Sequence, residues 1–136
     1  MYALDIATEV YIALNSMSDQ RVHTKCYFFD LAKKLLVAGG FVSGWTNAKT
    51  AEIYDVPSGT WSNAKELPNA DKYWLGVQIQ GHDTLYMFQA MTPGMYYYDL
   101  IMDEWVLKHP NKTILQDPRL HVFPVQIESA ALCHLI

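Results

Sequence analysis

The chain has 136 residues, of which 51% are hydrophobic, 13% aromatic and 18% charged. This composition provides a buried core for one modest domain and excludes a disordered tail. The formal net charge is −4, and lysine and arginine form no run, which argues against a nucleic-acid-binding surface.

Targeting and redox features favour the cytoplasm. No apolar stretch approaches the roughly 18 residues that suggest a membrane-spanning helix. Residues 1–5 lack the charged-then-apolar layout of a secretory signal. Cys26 and Cys133 lie far apart in sequence, and we expect both thiols to be reduced. We therefore expect a cytoplasmic protein that does not bind membranes.

Short apolar segments separated by turn residues predict strands along the whole chain. The segment 41–49, rich in serine, glycine, threonine and asparagine, is predicted as a loop, and residues 56–59 as a turn. No segment of helical length shows a 3.6-residue period, so the predicted class is all-β. The predicted strands are residues 2–5, 8–14, 26–29, 35–38, 51–55, 60–62, 74–80, 84–88, 95–99, 104–107, 121–127 and 131–136.

One short pattern occurs three times along this series of strands. In each copy an aromatic residue stands six positions after an aspartate, and the aspartates at 5, 55 and 99 are 50 and 44 residues apart. Self-similarity at this period predicts a stacked-repeat or propeller architecture. The copies are Leu4-Asp5 followed by Tyr11, Tyr54-Asp55 followed by Trp61, and Tyr98-Asp99 followed by Trp105.

The pattern resembles the kelch repeat. In that repeat a strand ending in Gly-Gly is followed by a variable loop, a strand ending in Tyr-Asp and a tryptophan six residues later. Residues 21–61 carry all of these features and include the pair Gly39-Gly40. The second unit departs from the pattern at the glycine pair, where Gln89-Ala90 stands.

The resemblance implies a fragment of a kelch-type β-propeller with four-stranded antiparallel blades. The chain then divides into an outer half-blade at 1–17, whole blades at 18–66 and 67–109, and an inner half-blade at 110–136. The motif residues build the blades, because glycine permits a turn and aromatic residues pack across neighbouring strands. They are Gly39, Gly40, Tyr54, Asp55, Trp61, Tyr98, Asp99 and Trp105.

The sequence contains no arrangement typical of a catalytic or metal site. The five histidines form no zinc-binding motif, and we predict no metal and no cofactor. The aspartates recur at turns and form no acid–base pair, and the segment 39–44 is not a nucleophile elbow. We therefore predict that the chain is not an enzyme.

The loop at 41–49 is the best candidate for a binding surface, because Phe41 and Trp45 stand among polar residues there. The alternative is that Trp45 folds back onto its own blade. By the resemblance, this loop and the segments joining successive blades line one face, where partners dock. The candidate partner-binding residues are Phe41, Ser43, Trp45, Thr46, Asn47, Asp19, Arg21, Asn69 and Lys72.

Two functions agree with these features. The first is a non-catalytic protein–protein interaction scaffold, which the resemblance extends to a fragment of a ubiquitin-ligase substrate adaptor. The alternative is a fragment of a kelch-type enzyme or glycan-binding propeller, similar to galactose oxidase or sialic-acid epimerases. The resemblance implies a ring that commonly has six blades. Two copies could therefore close one ring as a homodimer, or further repeats could follow in a longer chain.

Overall fold

A computed structural model of the chain describes residues 2–5, 7–70, 74–79, 82–89 and 94–109. These residues are all-β, as predicted, with a short 3-10 helix at Ser43–Trp45. The predicted strands at 121–127 and 131–136 lie outside the described residues. The strands are β1 (Tyr2–Asp5), β2 (Val10–Ala13), β3 (Lys25–Phe29), β4 (Lys34–Ala38), β5 (Phe41–Val42), β6 (Thr46–Asn47), β7 (Ala51–Asp55), β8 (Thr60–Ala64), β9 (Trp74–Ile79), β10 (Thr84–Gln89), β11 (Met95–Asp99) and β12 (Glu104–His109).

Two four-stranded antiparallel sheets dominate the fold. The first blade is the sheet β3-β4-β7-β8, and the second blade is the sheet β9-β10-β11-β12. In the described part of the chain, β1 and β2 form one two-stranded sheet, and β5 and β6 form another. The motif residues stand directly opposite one another in the ladders, Tyr54 across from Trp61 and Tyr98 across from Trp105. The four-stranded antiparallel blades expected from the repeat pattern are confirmed.

The recurring aspartate closes the turn between the third and fourth strands of each repeat. Asp99 Oδ1 accepts hydrogen bonds from the amides two and three residues ahead, both at 3.0 Å. Asp5 makes the same two bonds at 2.9 and 3.4 Å. Asp55 accepts from the Ser58 amide at 3.0 Å. Because Pro57 has no N–H, the other bond cannot form in that turn.

The motif tryptophans join each sheet to the one before it. Trp61 packs on its motif tyrosine with ring centroids 5.0 Å apart, and its indole N–H donates to the Asn15 carbonyl at 2.8 Å. Trp105 repeats this arrangement, with a centroid distance of 4.5 Å and an indole bond of 3.0 Å to the Lys65 carbonyl. Asn15 and Lys65 each stand four residues after the aromatic position of the preceding repeat. The contact therefore recurs with the repeat.

The main core lies between the two blades. Where β3 meets β9, the ring of Tyr27 lies directly over Gly76, and a β-carbon at that position would overlap the ring. This close approach is therefore available only to glycine. The largest fully buried side chains are Tyr98, Phe29, Leu36, Leu67, Leu85, Met87 and Val37.

The glycine pair bends the chain at the end of β4. Gly39 and Gly40 have φ angles of +66° and +84°, which side chains rarely adopt. A β-carbon on Gly40 would also lie 2.6 Å from the Val22 carbonyl oxygen. In the second unit, Gln89 ends β10 and Ala90 lies outside the described residues.

Candidate functional site

The predicted loop at 41–49 is a structured hairpin extension of the first blade. Past the glycine bend, β5 pairs with β6, so that Phe41 stands opposite Asn47. The Ala48 amide donates to the Gly40 carbonyl at 2.9 Å, which closes the base of the extension. Two backbone bonds between Val22 and Phe41, at 3.0 and 2.8 Å, tie it to the segment entering the blade. The loop prediction was therefore incomplete, because residues 41–47 carry their own β-pairing.

Trp45 projects from the tip of this hairpin extension. Its side chain is 72% exposed, although tryptophan is usually well buried. Its backbone has a φ of +62°, and Gly44 before it has a φ of +76°. The left-handed region disfavours bulky residues, at a cost of about 1–2 kcal/mol. A tryptophan is thus held in a strained conformation at a position where glycine or asparagine would be more stable.

A short chain of aromatic rings supports Trp45 from behind. The Phe41 ring lies 5.6 Å from the Trp45 ring and 6.0 Å from the His23 ring, in edge-to-face geometry on both sides. The Trp45 ring therefore packs against the hairpin extension and is not buried in its own blade. We call the exposed residues around it the tip surface: Val22, His23, Ser43, Trp45, Thr46 and Asn47.

A buried ion-pair network fixes the segment that enters the first blade. Arg21 is only 6% exposed, and its guanidinium pairs with Glu52 and Asp19, both at 3.1 Å. The guanidinium also donates to the Thr50 carbonyl at 2.7 Å, and the Thr50 hydroxyl donates to Asp19 at 2.8 Å. Glu52 accepts a further bond from the Ser18 amide at 2.8 Å. The network links the entry segment to β7, and Arg21 immediately precedes the tip-surface residue Val22 in the chain.

Glu52 stays ionised within this network. Burial opposes the charged form, but hydrogen bonds from the Ser18 amide and the Arg21 guanidinium outweigh it and lower the pKa of the carboxyl below its usual range. A buried carboxylate facing a buried guanidinium is the arrangement that keeps both charges tolerable in a protein interior.

The predicted site residues divide into two groups. Trp45, Ser43, Thr46 and Asn47 are exposed at the tip surface, with Phe41 half-buried beneath them. The other candidates lie in the segments that join successive sheets.

Among those joining residues, Arg21 is buried, and Asp19 is committed to the network. Asn69 is exposed, and its carbonyl accepts the Trp74 indole N–H at 3.2 Å. Lys72 lies outside the described residues. Glu52, the partner of Arg21, was not among the predicted site residues, because the two stand 31 residues apart and no local pattern links them.

The described ranges contain no cluster of three or more histidine, cysteine or carboxylate residues that could hold a metal ion. In the same ranges, no helix is long and apolar enough to cross a membrane.

Comparison with protein families supports the repeat. Residues 31–68 match the family model described as the Kelch motif. The match begins in the turn between β3 and β4, includes the glycine pair and ends after β8. The match and the four-stranded antiparallel sheets are consistent with a partial kelch-repeat propeller. Kelch repeats generally mediate protein–protein interaction and are generally non-catalytic. No curated protein matches the chain.

Proposed function

We propose that the chain is a non-catalytic scaffold that binds a protein partner through the tip surface. The observation that carries this proposal is the strained, exposed Trp45. Strain at an exposed aromatic residue has no benefit for folding, and such outliers cluster at ligand-binding positions. Tryptophan is also the residue most enriched among interface hot spots.

The rigidity of the tip surface supports the same proposal. The two Val22–Phe41 backbone bonds and the buried pair of Arg21 with Glu52 hold the extension in place. A pre-organised surface loses little conformational entropy on binding, so more of the contact energy appears as affinity. Exposed polar residues such as Thr46 and Asn47 would form the rim around the aromatic centre.

The proposal includes the finer roles implied by the kelch resemblance. The chain would act in the cytoplasm and hold a client protein for another module, as a substrate adaptor of a ubiquitin ligase does. We also propose that two copies associate through their β1 edges.

Replacement of Trp45 tests the binding proposal. Trp45→Ala is expected to weaken the binding of a protein partner by about 1–3 kcal/mol, as hot-spot truncations do. Stability is expected to fall by no more than about 1 kcal/mol, because the exposed ring loses only its edge-to-face contact with Phe41 and alanine keeps the same backbone strain. Affinity is measured by isothermal titration calorimetry, and stability by urea unfolding.

Tyr11→Ala provides the matched control, since Tyr11 is an aromatic residue of similar exposure on β2, away from the tip surface. We expect this control to retain full affinity. An unchanged affinity of Trp45→Ala together with a lowered melting temperature would show that Trp45 is a structural residue.

A further inference from the structure

A cleft opens at the end of the blades opposite the tip surface. In antiparallel sheets, the turns at 30–33 and 100–103 must lie at the end away from residues 43–47. Between these turns is a cleft with a volume of about 310 Å³. Its lining combines apolar Leu31, Leu100 and Ile101 with polar Asp83, Tyr97 and Asp99.

The rim of the cleft exposes large apolar side chains. Ile101 is 93% exposed and Leu31 is 69% exposed, and Met102, next to Ile101 in the same turn, is 68% exposed. The equivalent turn of the first blade instead carries Pro57 and Ser58 at the positions of Ile101 and Met102. Apolar side chains grouped at a concave site mark interaction surfaces more often than isolated ones do.

Two carboxylates give the same cleft a negative charge. Asp83 accepts hydrogen bonds from the amides of Leu31 and Ala32, at 3.0 and 2.6 Å, which joins the second blade to the first. Asp99 accepts from the two turn amides ahead of it. Within the described residues, neither carboxylate forms an ion pair.

Two lysines close in sequence to the lining residues interact with other groups. Lys33 pairs with Asp30 at 2.7 Å. The Lys108 ammonium lies 5.5 Å from the centroid of the Tyr97 ring. The cleft lining itself therefore carries two negative charges and no positive one. The Tyr97 hydroxyl adds a neutral donor, since burial and the nearby Asp99 raise its pKa.

We propose that this cleft is a second docking site, for a protein segment in which an apolar side chain stands next to a lysine or arginine. The apolar side chain fills the cleft against Leu31, Leu100 and Ile101. The adjacent cation pairs with Asp99, whose negative charge no cation in the lining balances. The site is independent of the tip surface, because the length of the strands separates the two ends of the blades.

Peptide binding to the full 136-residue chain tests the site. The probes are two fluorescein-labelled peptides in a glycine-serine background, one with leucine followed by lysine and one with leucine followed by glutamate. Fluorescence anisotropy is expected to show binding of the lysine peptide and at least about tenfold weaker binding of the glutamate peptide, because the cation supplies the charge complementarity.

Matched variants locate the binding. Asp99→Asn keeps the oxygen that accepts hydrogen bonds from the turn amides. It is expected to weaken binding of the lysine peptide about three- to tenfold. Asp55→Asn makes the same change in the equivalent turn of the first blade and is expected to have no effect. Ile101→Ser is expected to weaken binding about tenfold, with Val56→Ser as its control.

Equal binding of the two peptides, equal effects at Asp99 and Asp55, or no binding of either peptide at millimolar concentration would overturn the proposal. A concentration-dependent dimer that Ile101→Ser abolishes, without peptide binding, would assign the cleft to self-association and would also overturn it. Loss of partner binding by Trp45→Ala does not bear on these outcomes, because that variant leaves the cleft intact.

Discussion

Most of the motif residues stabilise a blade, whereas other residues form the candidate binding surface. Gly40 occurs where a β-carbon would meet the Val22 carbonyl, and Asp99 occurs where turn amides need an acceptor. Trp45 has no such local structural reason, because its backbone conformation favours glycine and its ring is exposed. Departures from local preference of this kind are expected at functional positions.

The Arg21–Glu52 pair is the residue-scale contact with the largest expected effect on stability. Glu52→Gln leaves the buried guanidinium with only Asp19 as a charged partner, and it is expected to destabilise the chain by about 2–4 kcal/mol at pH 7. Urea unfolding measures the difference. Asp30→Asn, in the exposed pair with Lys33, is the control and is expected to cost less than about 1 kcal/mol.

The same pair predicts a pH dependence. The pKa of Glu52 is lower in the folded chain than in the unfolded chain, so its contribution is complete above the unfolded value of about 4.3. The contribution is lost as the pH falls through the lower folded-state pKa. The stability difference between the wild type and Glu52→Gln should therefore shrink in acid. A difference that stays constant from pH 7 to pH 3 would contradict the role of the Glu52 charge.

At the scale of elements, the positions of the strands could be predicted from the repeat, but the contacts formed by the segments between them could not. The positions of β7 and β11 follow from the Tyr-Asp pattern, and the predicted range for β7 is the observed one. The pairing of β5 with β6 was missed, because a two-residue strand has no measurable period. The Arg21–Glu52 contact was missed for a different reason: it depends on how the entry segment crosses β7, which no local pattern encodes.

The tryptophan contacts between sheets predict how strongly successive elements are coupled. Trp61→Phe and Trp105→Phe keep a ring on the motif tyrosine but remove the indole bond to Asn15 or Lys65. Each is expected to cost about 1 kcal/mol, the usual net value of one hydrogen bond. Trp61→Ala is expected to cost about 2–3 kcal/mol, since its ring is only half-buried and a fully buried ring would cost more.

Trp45→Phe is the control for this series and should change the free energy of unfolding by less than about 0.5 kcal/mol. Urea unfolding of the four variants gives the comparison. If Trp61→Phe and Trp105→Phe were both as stable as the wild type, the indole bonds would not couple the sheets.

At the scale of the whole molecule, β1 has an edge that is unpaired among the described residues and that corresponds to the edge of β7 that is paired in the first blade. In the first blade, the equivalent hairpin of β7 and β8 pairs through β7 with β4. Within the described residues, β1 has β2 on one side and no strand on the other. Unpaired strand edges attract further strands, and the exposed side chains of Tyr2 and Val10 lie on this same pair of strands.

We therefore predict a dimer in which each β1 edge pairs with strands of a second copy. The sequence predicts two inner strands at 121–136 that would complement the β1–β2 pair, and a two-fold arrangement would satisfy both edges. Multi-angle light scattering should give about twice the monomer mass of 15.6 kDa. Ala3→Pro removes a backbone donor from β1 and is expected to yield monomer or aggregate.

Ala7→Pro is the matched control, because Ala7 occupies the turn position that Pro57 holds in the first blade. The change removes one amide bond to Asp5 but keeps the turn that the first blade already forms with proline. We expect this variant to remain a dimer. A monodisperse monomer of the wild type, or a heterogeneous aggregate that Ala3→Pro leaves unchanged, would show that β1 does not direct assembly.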